Sequence, residues 1–373
     1  MNKSVMFLLT ICGLVLLLVS GCSNNDGTAT VVSIKGDKWF LNDKIINEGS
    51  PAEGLLMNVR MINSVFEDKG DKLPAEHKDF DPEKNTDRFI SEIPAYVASG
   101  VNGFTIGLQG GMPGYEGAVN SAFNSDGTLQ PEYMKRVERV IRAVDNSKVV
   151  VILSCFYQRQ HSHFAALNRQ EDIRNALSNT VEWIRENKFR NVVLEVSNEY
   201  RHGGYRKWKE GRWLISTRGQ VELISLAKSL DPSLLVSTSG MGDGRLVDSL
   251  AAAVDFITIH FNTTSLENYG ARINALKETG KPIICNEDDK IDKAGAAALM
   301  LSVANGCGWG FMHHEQNQDI PFRYEGVKDD TAVYNMLRSV TTPGYVIDAD
   351  TYLEENELLE SRKVKIIIHE GEI

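Results

Sequence analysis

"NVVLEVSNEY", Asn191 to Tyr200, begins polar, runs through alternating β-branched and apolar residues, and stops on an amide and a carboxylate. Its middle reads as a buried strand, yet Asn and Glu are both poor strand formers. The pair Asn198-Glu199 is therefore either a turn signal or chemistry projected from a rigid support. Its neighbours in the chain decide which, because the stretch is one of a series.

The series consists of Leu55 to Ile62, Gly103 to Leu108, Val149 to Cys155, Val192 to Ser197, Leu234 to Thr238, Phe256 to Phe261, Pro282 to Cys285 and Gly308 to Met312. Amphipathic segments lie between the runs. "TDRFISEIPAYVASG" (86–100), "PEYMKRVERVIRAVDN" (131–146) and "EDIRNALSNTVEWIREN" (171–187) carry apolar residues close to helical spacing. Strands alternating with helices predict βα units and a parallel sheet. Eight strands are the number a closed barrel needs, and they span about 260 residues, near the roughly 250 typical of a (β/α)8 barrel. An open doubly wound sheet would place a G-x-G-x-x-G turn after the first strand; none is there. The expected fold class is α/β, a (β/α)8 TIM barrel.

Around the barrel, "TATVVSIKGDKWFLNDKIINEG" (28–49) predicts a β-hairpin turning at Gly36-Asp37. The tail after Pro343, ending in "VKIIIHE", predicts a short C-terminal β extension packed on the barrel. The boundaries that follow are 29–342 for the catalytic barrel with its hairpin and 343–373 for the extension. Ahead of them, Lys3, an apolar run from Val5 to Val19 and small residues before Cys22 have the anatomy of a signal peptide over 1–21, and the run is short for a membrane span. Val19-Ser20-Gly21-Cys22 also resembles a bacterial lipobox. The expectation is a lipid on Cys22, a polar tether over 22–28, and anchoring on the extracytoplasmic side of a bacterial cell envelope, at the outer membrane or cell surface.

With 373 residues, 42% of them hydrophobic, the chain is long enough for a sizeable core. A net charge of −10 argues against nucleic acid as a partner and against a basic membrane footprint. Beyond Cys12 and Cys22, three cysteines remain, Cys155, Cys285 and Cys307, all inside apolar runs. They read as buried thiols, and no C-x-x-C spacing offers a zinc site.

Catalytic groups of such a barrel sit at the C-terminal ends of its strands. Glu199 follows the fourth run and Glu287, in "KPIICNEDD", follows the seventh. Two carboxylates facing across a barrel mouth are the minimum equipment for glycoside hydrolysis. An Asn-Glu after strand four and a Glu after strand seven resemble clan A of the retaining glycoside hydrolases, the group that includes the family 5 cellulases and mannanases. The resemblance covers about Gly54 to Asn317. It implies that Glu199 is the general acid/base, that Asn198 hydrogen-bonds the substrate 2-hydroxyl, that Glu287 is the nucleophile, and that no cofactor is used. His260, ending "FITIHF" after strand six, matches a position where clan members often carry a His near the pair. Arg60, Tyr157, Tyr200, Trp309 and His313, in or just beyond the strand runs, complete the expected substrate-binding set.

The pattern departs from family 5 in two places. Asn262 stands two residues after His260, where an aromatic is frequent, and strand eight ends at His313-His314-Glu315 with Trp309 early in its run. The exact family is therefore not assigned. The other class of function compatible with these residues is a surface carbohydrate-binding barrel that performs no chemistry.

Three further features are read two ways. The loop after strand two, "QGGMPGYEGAVNSAFNSDG" (109–127), is long and is expected to wall the pocket. In "YRHGGYRKWKEGRW" (200–213), one or two rings line a subsite, or else Trp208 and Trp213 pack the next helix. The cations Arg201, Arg206, Lys207, Lys209 and Arg212, with Arg159, His161 and His163 after strand three, either receive an acidic group on the saccharide or form a solvated face, the second reading being favoured. "HSH" (161–163) and "MHH" (312–314) evoke metal ligands, but metal-dependent hydrolase barrels place H-x-H on strand one, and "GLLMNVRMI" (54–62) contains no His. No catalytic metal is expected.

Overall fold

A computed structural model describes residues 27–69, 79–110, 120–158, 167–319 and 324–358. Its centre is a parallel sheet of β1 (Met57–Arg60), β2 (Gly103–Gly107), β3 (Val150–Phe156), β4 (Val192–Ser197), β5 (Val236–Ser237), β6 (Ile257–His260), β7 (Ile283–Asp288) and β8 (Gly308–Phe311). Going round, the order is β5-β4-β3-β2-β1-β8-β7-β6, and a parallel bridge between Ser239 and Thr258 joins the two ends. Each of the eight predicted runs coincides with one strand, β3 continuing to Phe156 and β7 to Asp288 beyond their runs, because continuous apolar, β-branched sequence suits strands covered on both faces.

The helices are α1 (Pro82–Ala98), α2 (Pro131–Asn146), α3 (Gln170–Glu186), α4 (Thr217–Leu230), α5 (Asp248–Ala253), α6 (Tyr269–Asn274), α7 (Asp292–Ala304) and α8 (Thr331–Val340), one after each strand. Local chemistry fixes their starts. Asp81 accepts from the backbone N–H groups of Glu83 and Lys84 at 3.0 and 3.2 Å ahead of Pro82, and Ser216 caps α4 through the Gly219 N–H at 2.9 Å. None of the helices among the described residues is long and apolar enough to cross a membrane.

Strand alternation divides the core in two. Outward side chains such as Val59, Phe104, Val151 and Leu194 meet the helices in the larger cluster. Inward ones, Leu56, Val150, Ile152, Val193, Phe256 and Ile284, form a second cluster inside the barrel. That cluster is completed from below by the N-terminal hairpin, whose strands Val32–Lys35 and Lys38–Leu41 are antiparallel. Trp39 enters the bottom of the barrel with its ring 5.0 Å from Phe256, edge to face. Trp39→Ala is expected to destabilise the fold by about 3–5 kcal/mol, since an indole that is almost wholly buried leaves a cavity. Urea titration checks it; a loss below about 1 kcal/mol would mean the hairpin is not part of the folded unit.

Above the apolar layer the barrel turns polar. Thr105 Oγ1 donates to Asn58 Oδ1 at 2.8 Å, Thr258 Oγ1 to Ser237 Oγ at 2.9 Å, and Asn286 Nδ2 faces Glu195 Oε1 at 3.5 Å. Space is made by Gly310, where a Cβ would lie 2.1 Å from Asn58 Nδ2.

Of the expected β extension over 343–373, the structure describes only 343–358. Ala349–Glu355 is a helix, α9, capped by Asp348 on the Thr351 N–H at 3.1 Å and packed on α7 through this turn of chain. An N-capping Asp followed by Ala, Leu and two Glu favours a helix locally, and this outweighs the β-branched residues before it. No strand occurs among the described residues of 343–358. "VKIIIHE" lies outside the described residues, as do Cys22, the middle of the loop after β2, and Arg159, His161 and His163.

Candidate active site

The carboxylate that ends β4 does so through its backbone. Glu199 adopts φ +46, a left-handed conformation that a non-glycine residue enters only when its surroundings hold it there. Ser239, just past β5, supplies the hold: its Oγ accepts the Glu199 N–H at 2.8 Å and its carbonyl the Tyr200 N–H at 3.2 Å. The strand stops at Asn198-Glu199 because the chain is turned there over the barrel mouth.

Glu287 reaches the same mouth by another device. Along β7, Ile284 points inward and Cys285 outward, so strict alternation would send Asn286 in and Glu287 out. The pairing with β6 shifts at this point, from Ile259 opposite Cys285 to His260 opposite Glu287. The extra residue is a β-bulge, which re-aims a side chain. Both Asn286 and Glu287 consequently face the interior, while Asp288 turns out to accept from Trp309 Nε1 at 2.9 Å and from the Tyr269 hydroxyl.

Around the two carboxylates the contacts are unequal. Arg60, wholly buried at the end of β1, sets Nε 3.1 Å from Glu287 Oε2 and donates from a terminal nitrogen to Asn198 Oδ1 at 2.9 Å. Asn262 Nδ2 donates to Glu287 Oε1 at 2.6 Å. Asn198 Nδ2 donates to Gln158 Oε1 at 3.2 Å, which fixes the amide's orientation. His260 Nδ1 lies 3.4 Å from Glu199 Oε1 and 3.6 Å from Glu287 Oε2. One carboxylate oxygen from each Glu and a ring nitrogen of His260 all fall within 4.8 Å of one another.

Burial alone would push the Glu287 carboxyl up, but the Arg60 and His260 charges and the Asn262 hydrogen bond outweigh it, and the group sits below its ordinary value of 4.5. For His260, burial disfavours the cation, yet Glu287 and Glu199 overcome it and raise the imidazole above its ordinary 6.5. The signs then give the pH window. Glu287 contributes stability that is complete above 4.5 and is lost as pH falls through its lowered folded value; His260 contributes stability that is complete below 6.5 and is lost as pH rises through its raised one. Both contributions are full between pH 4.5 and 6.5.

Arg60→Met leaves the Glu287 charge buried without its main partner, and a loss of about 3–5 kcal/mol is expected. In whatever fraction folds, the acid limb of the pH–rate profile moves to higher pH, because the cation that depressed the carboxyl is gone. An unmoved acid limb would show that Arg60 does not govern this ionisation.

Glu199, His260 and Glu287 are also the one group of three among the described residues close enough to hold a metal ion. The donor set suits it poorly: one oxygen of Glu287 faces a guanidinium and the other an amide N–H, so a divalent cation would meet Arg60 at close range.

Of the residues expected from sequence, the structure brings together Arg60, Asn198, Glu199, His260 and Glu287. Tyr157, buried, donates its backbone N–H to Gln109 Oε1 at 3.1 Å and precedes Gln158 in the chain. Tyr200 is almost wholly buried beneath the Arg201 guanidinium, 5.5 Å from its ring centroid. His313 rests edge-on against Phe311. Trp309 is the correction. It is fully buried and stacked on Phe311 with centroids 5.8 Å apart, because alternation along β8 gives the interior to Gly308 and Gly310. It faces the helices and offers no surface to a ligand.

The loop after β4 packs. The Tyr205 hydroxyl donates to the carbonyls of Phe156 and Asn198 at 2.7 and 3.1 Å, Trp208 meets Phe156 edge to face, and Trp213 lies under Arg174 on the α3–α4 side. Arg206, Lys207, Lys209 and Arg212 are exposed. Cys155, Cys285 and Cys307 are buried free thiols, and burial pushes Cys307 up to about 12. Asn262, Gln158 and Ser239 were not among the expected site residues. Their common signal is position, each falling one to three residues past a strand end.

No family model and no curated protein matches this sequence. Solved structures do. A candidate glycoside hydrolase from Bacteroides vulgatus aligns with TM-score 0.58 at 11% identity over 84% of this chain, which spans 60% of that one. A β-1,4-D-mannanase from Cryptopygus antarcticus gives 0.55 at 12% identity, covering 85% of this chain and 96% of its own. An endo-1,4-β-mannanase from Rhizomucor miehei gives 0.53 at 13% identity, covering 87% and 99%. At these identities the likeness establishes the fold: the chain is a (β/α)8 barrel of the kind these glycoside hydrolases use.

Proposed function

We propose that the chain is a retaining glycoside hydrolase acting on an oligo- or polysaccharide, with Glu287 as nucleophile and Glu199 as acid/base. The observation that carries this reading is the pair itself: two rim carboxylates with oxygens inside a 4.8 Å group and unequal surroundings. So close an approach of the nearest oxygens favours the roughly 5–5.5 Å carboxyl separation of retaining enzymes over the roughly 6.5–9.5 Å that inverting ones need to seat a water. The cation and the amide serve Glu287, which keeps it anionic for attack; Glu199 is left with the imidazole, and proton donation falls to it.

In the first step a Glu287 oxygen bonds the anomeric carbon as the bond to the leaving oxygen breaks, and Glu199 gives that oxygen its proton. In the second, Glu199, now a carboxylate, takes a proton from water, whose oxygen displaces Glu287 from the sugar. Asn198, held by Arg60 and Gln158, directs its remaining amide N–H at the substrate. No step calls for a cofactor. The mannanases among the structural neighbours support a carbohydrate substrate. Proton NMR of the first product released from a panel of polysaccharides tests the mechanism: the anomer of the cleaved bond is kept, and an inverted product would overturn double displacement.

Cys22 is proposed to carry a diacylglycerol and to hold the protein on the extracytoplasmic face of a bacterial envelope. Mass spectrometry of membrane-extracted protein is expected to place lipid on Cys22 at the mature N-terminus, and Cys22→Ala to release the protein or block its processing. An unmodified Cys22 in secreted mature chain would sink this assignment.

A further inference from the structure

A cavity of about 470 Å³ lies between the loops after β4 and β5 and helix α6. Its volume lies within the roughly 300–1,000 Å³ of small-molecule sites. The cavity begins one residue from Glu199, at Tyr200 and Arg201, and its opposite wall is Arg272 with Leu276. Between them the segment from Gly240 to Val247 folds back on itself, Met241 bridging to Arg245. This wall is tied to the catalytic rim: the Gly244 N–H donates to the His260 carbonyl at 2.9 Å, and the Thr263 N–H to the Gly242 carbonyl at 3.0 Å. Gly244, at φ +69, would drive a Cβ to 2.5 Å from the Phe261 ring, so the loop's close approach depends on glycine.

Three guanidiniums line this one space in a protein of net charge −10. Arg201 and Arg272 have no carboxylate partner among the described residues, and Arg272 Nε is buried without a hydrogen bond. Arg245 has a single distant one, Asp243 at 3.9 Å. The carboxylates facing the cavity are Asp243 and Asp248, one fewer than the cations. A guanidinium presents a rigid fork of donors that matches a planar or tetrahedral oxyanion. The buried Arg272 Nε, without a partner, and three guanidiniums lining one space against two carboxylates leave donors there for an anion.

We propose that this cavity is a subsite for an acidic group, carboxylate or sulfate, carried by the saccharide whose bond is cleaved between Glu199 and Glu287. The inference rests on the hydrolase reading and narrows its substrate to an anionic polysaccharide. The other cations of the loop after β4, Arg206 to Arg212, take no part, since none of them lines the cavity.

The test reads binding without turnover. Full-length Glu287→Gln protein is titrated calorimetrically with a panel of uronic-acid oligosaccharides and a panel of sulfated ones, each beside its carboxyl-reduced or desulfated counterpart. In at least one panel the acidic form is expected to bind about tenfold or more tightly than its neutral partner, the scale of one charge-assisted hydrogen bond, and the preference is expected to shrink with added salt. The panel that shows it identifies the group. Arg272→Gln should abolish most of that preference, and so should Arg201→Gln, whose side chain is exposed and whose replacement spares the core. Neutral members binding as well as acidic ones throughout, or a preference that survives both substitutions, would overturn the subsite. Absence of turnover by the unmodified protein would overturn the hydrolase reading and leave the binding result standing.

Discussion

Replacing Glu287 by Gln is expected to lower kcat on every substrate by on the order of 10⁵-fold, since a weakly nucleophilic amide then stands where the covalent bond must form. The loss should not depend on the leaving group, because both steps pass through this side chain. Incubating the unmodified protein with a 2-deoxy-2-fluoro glycoside of the right sugar should leave one labelled peptide spanning Cys285 to Lys290, with the mass on Glu287. Asp288 and Asp289 are the local rivals. Asp288 is turned outward, accepting from Trp309 and Tyr269 and lying 3.1 Å from Lys290 Nζ; Asp289 pairs with His314 at 3.3 Å. Label on either would dismiss Glu287 as nucleophile while leaving the barrel intact.

Replacing Glu199 by Ala should produce a different pattern. Loss of a general acid costs about 10²–10⁴-fold where the leaving oxygen needs a proton, and far less with an activated aryl glycoside whose leaving group departs as an anion. With the activated substrate the second step should become limiting, for want of a base, and azide should restore turnover by entering the space the side chain vacates and forming a glycosyl azide. Equal losses on both substrate types, without azide rescue, would assign Glu199 some other role. The two variants are therefore distinguished by the shape of their defects as well as by size.

The barrel could be read in advance because each strand is a run of β-branched and apolar residues, and that composition has one meaning when both faces are covered. Helices α1 to α3 carried the 3.6 periodicity over several turns. Helices α5 and α6 span six residues each, too few for the pattern to rise above its surroundings. At the site, Glu199 and Glu287 stood out as polar residues at strand ends. The bulge that admits Glu287 did not, because a register shift is decided by the pairing of β7 with β6 and leaves no mark on β7 alone. Trp309 shows the converse error: its place in a rim strand was visible, but its direction depends on the parity of β8 relative to Gly310. Asn262 was noticed only as a departure from family 5, and its 2.6 Å bond to Glu287 came from the loop's path. In the tail, a short capping signal at Asp348 prevailed over β-branched neighbours.

The hairpin that carries Trp39 has a consequence for the order in which the chain is made. It is synthesised before any barrel strand, yet the surface that receives it is assembled from Leu56, Val150, Val193, Phe256 and Ile284. Until the last of these has emerged, Trp39 has no interior to enter, and the bottom of the barrel stays open. Closure therefore joins the beginning of the chain to its later strands, a non-local contact whose loop-closure entropy slows folding. The chain must therefore carry an unshielded indole through synthesis of most of its length, until the strands that supply those residues have formed.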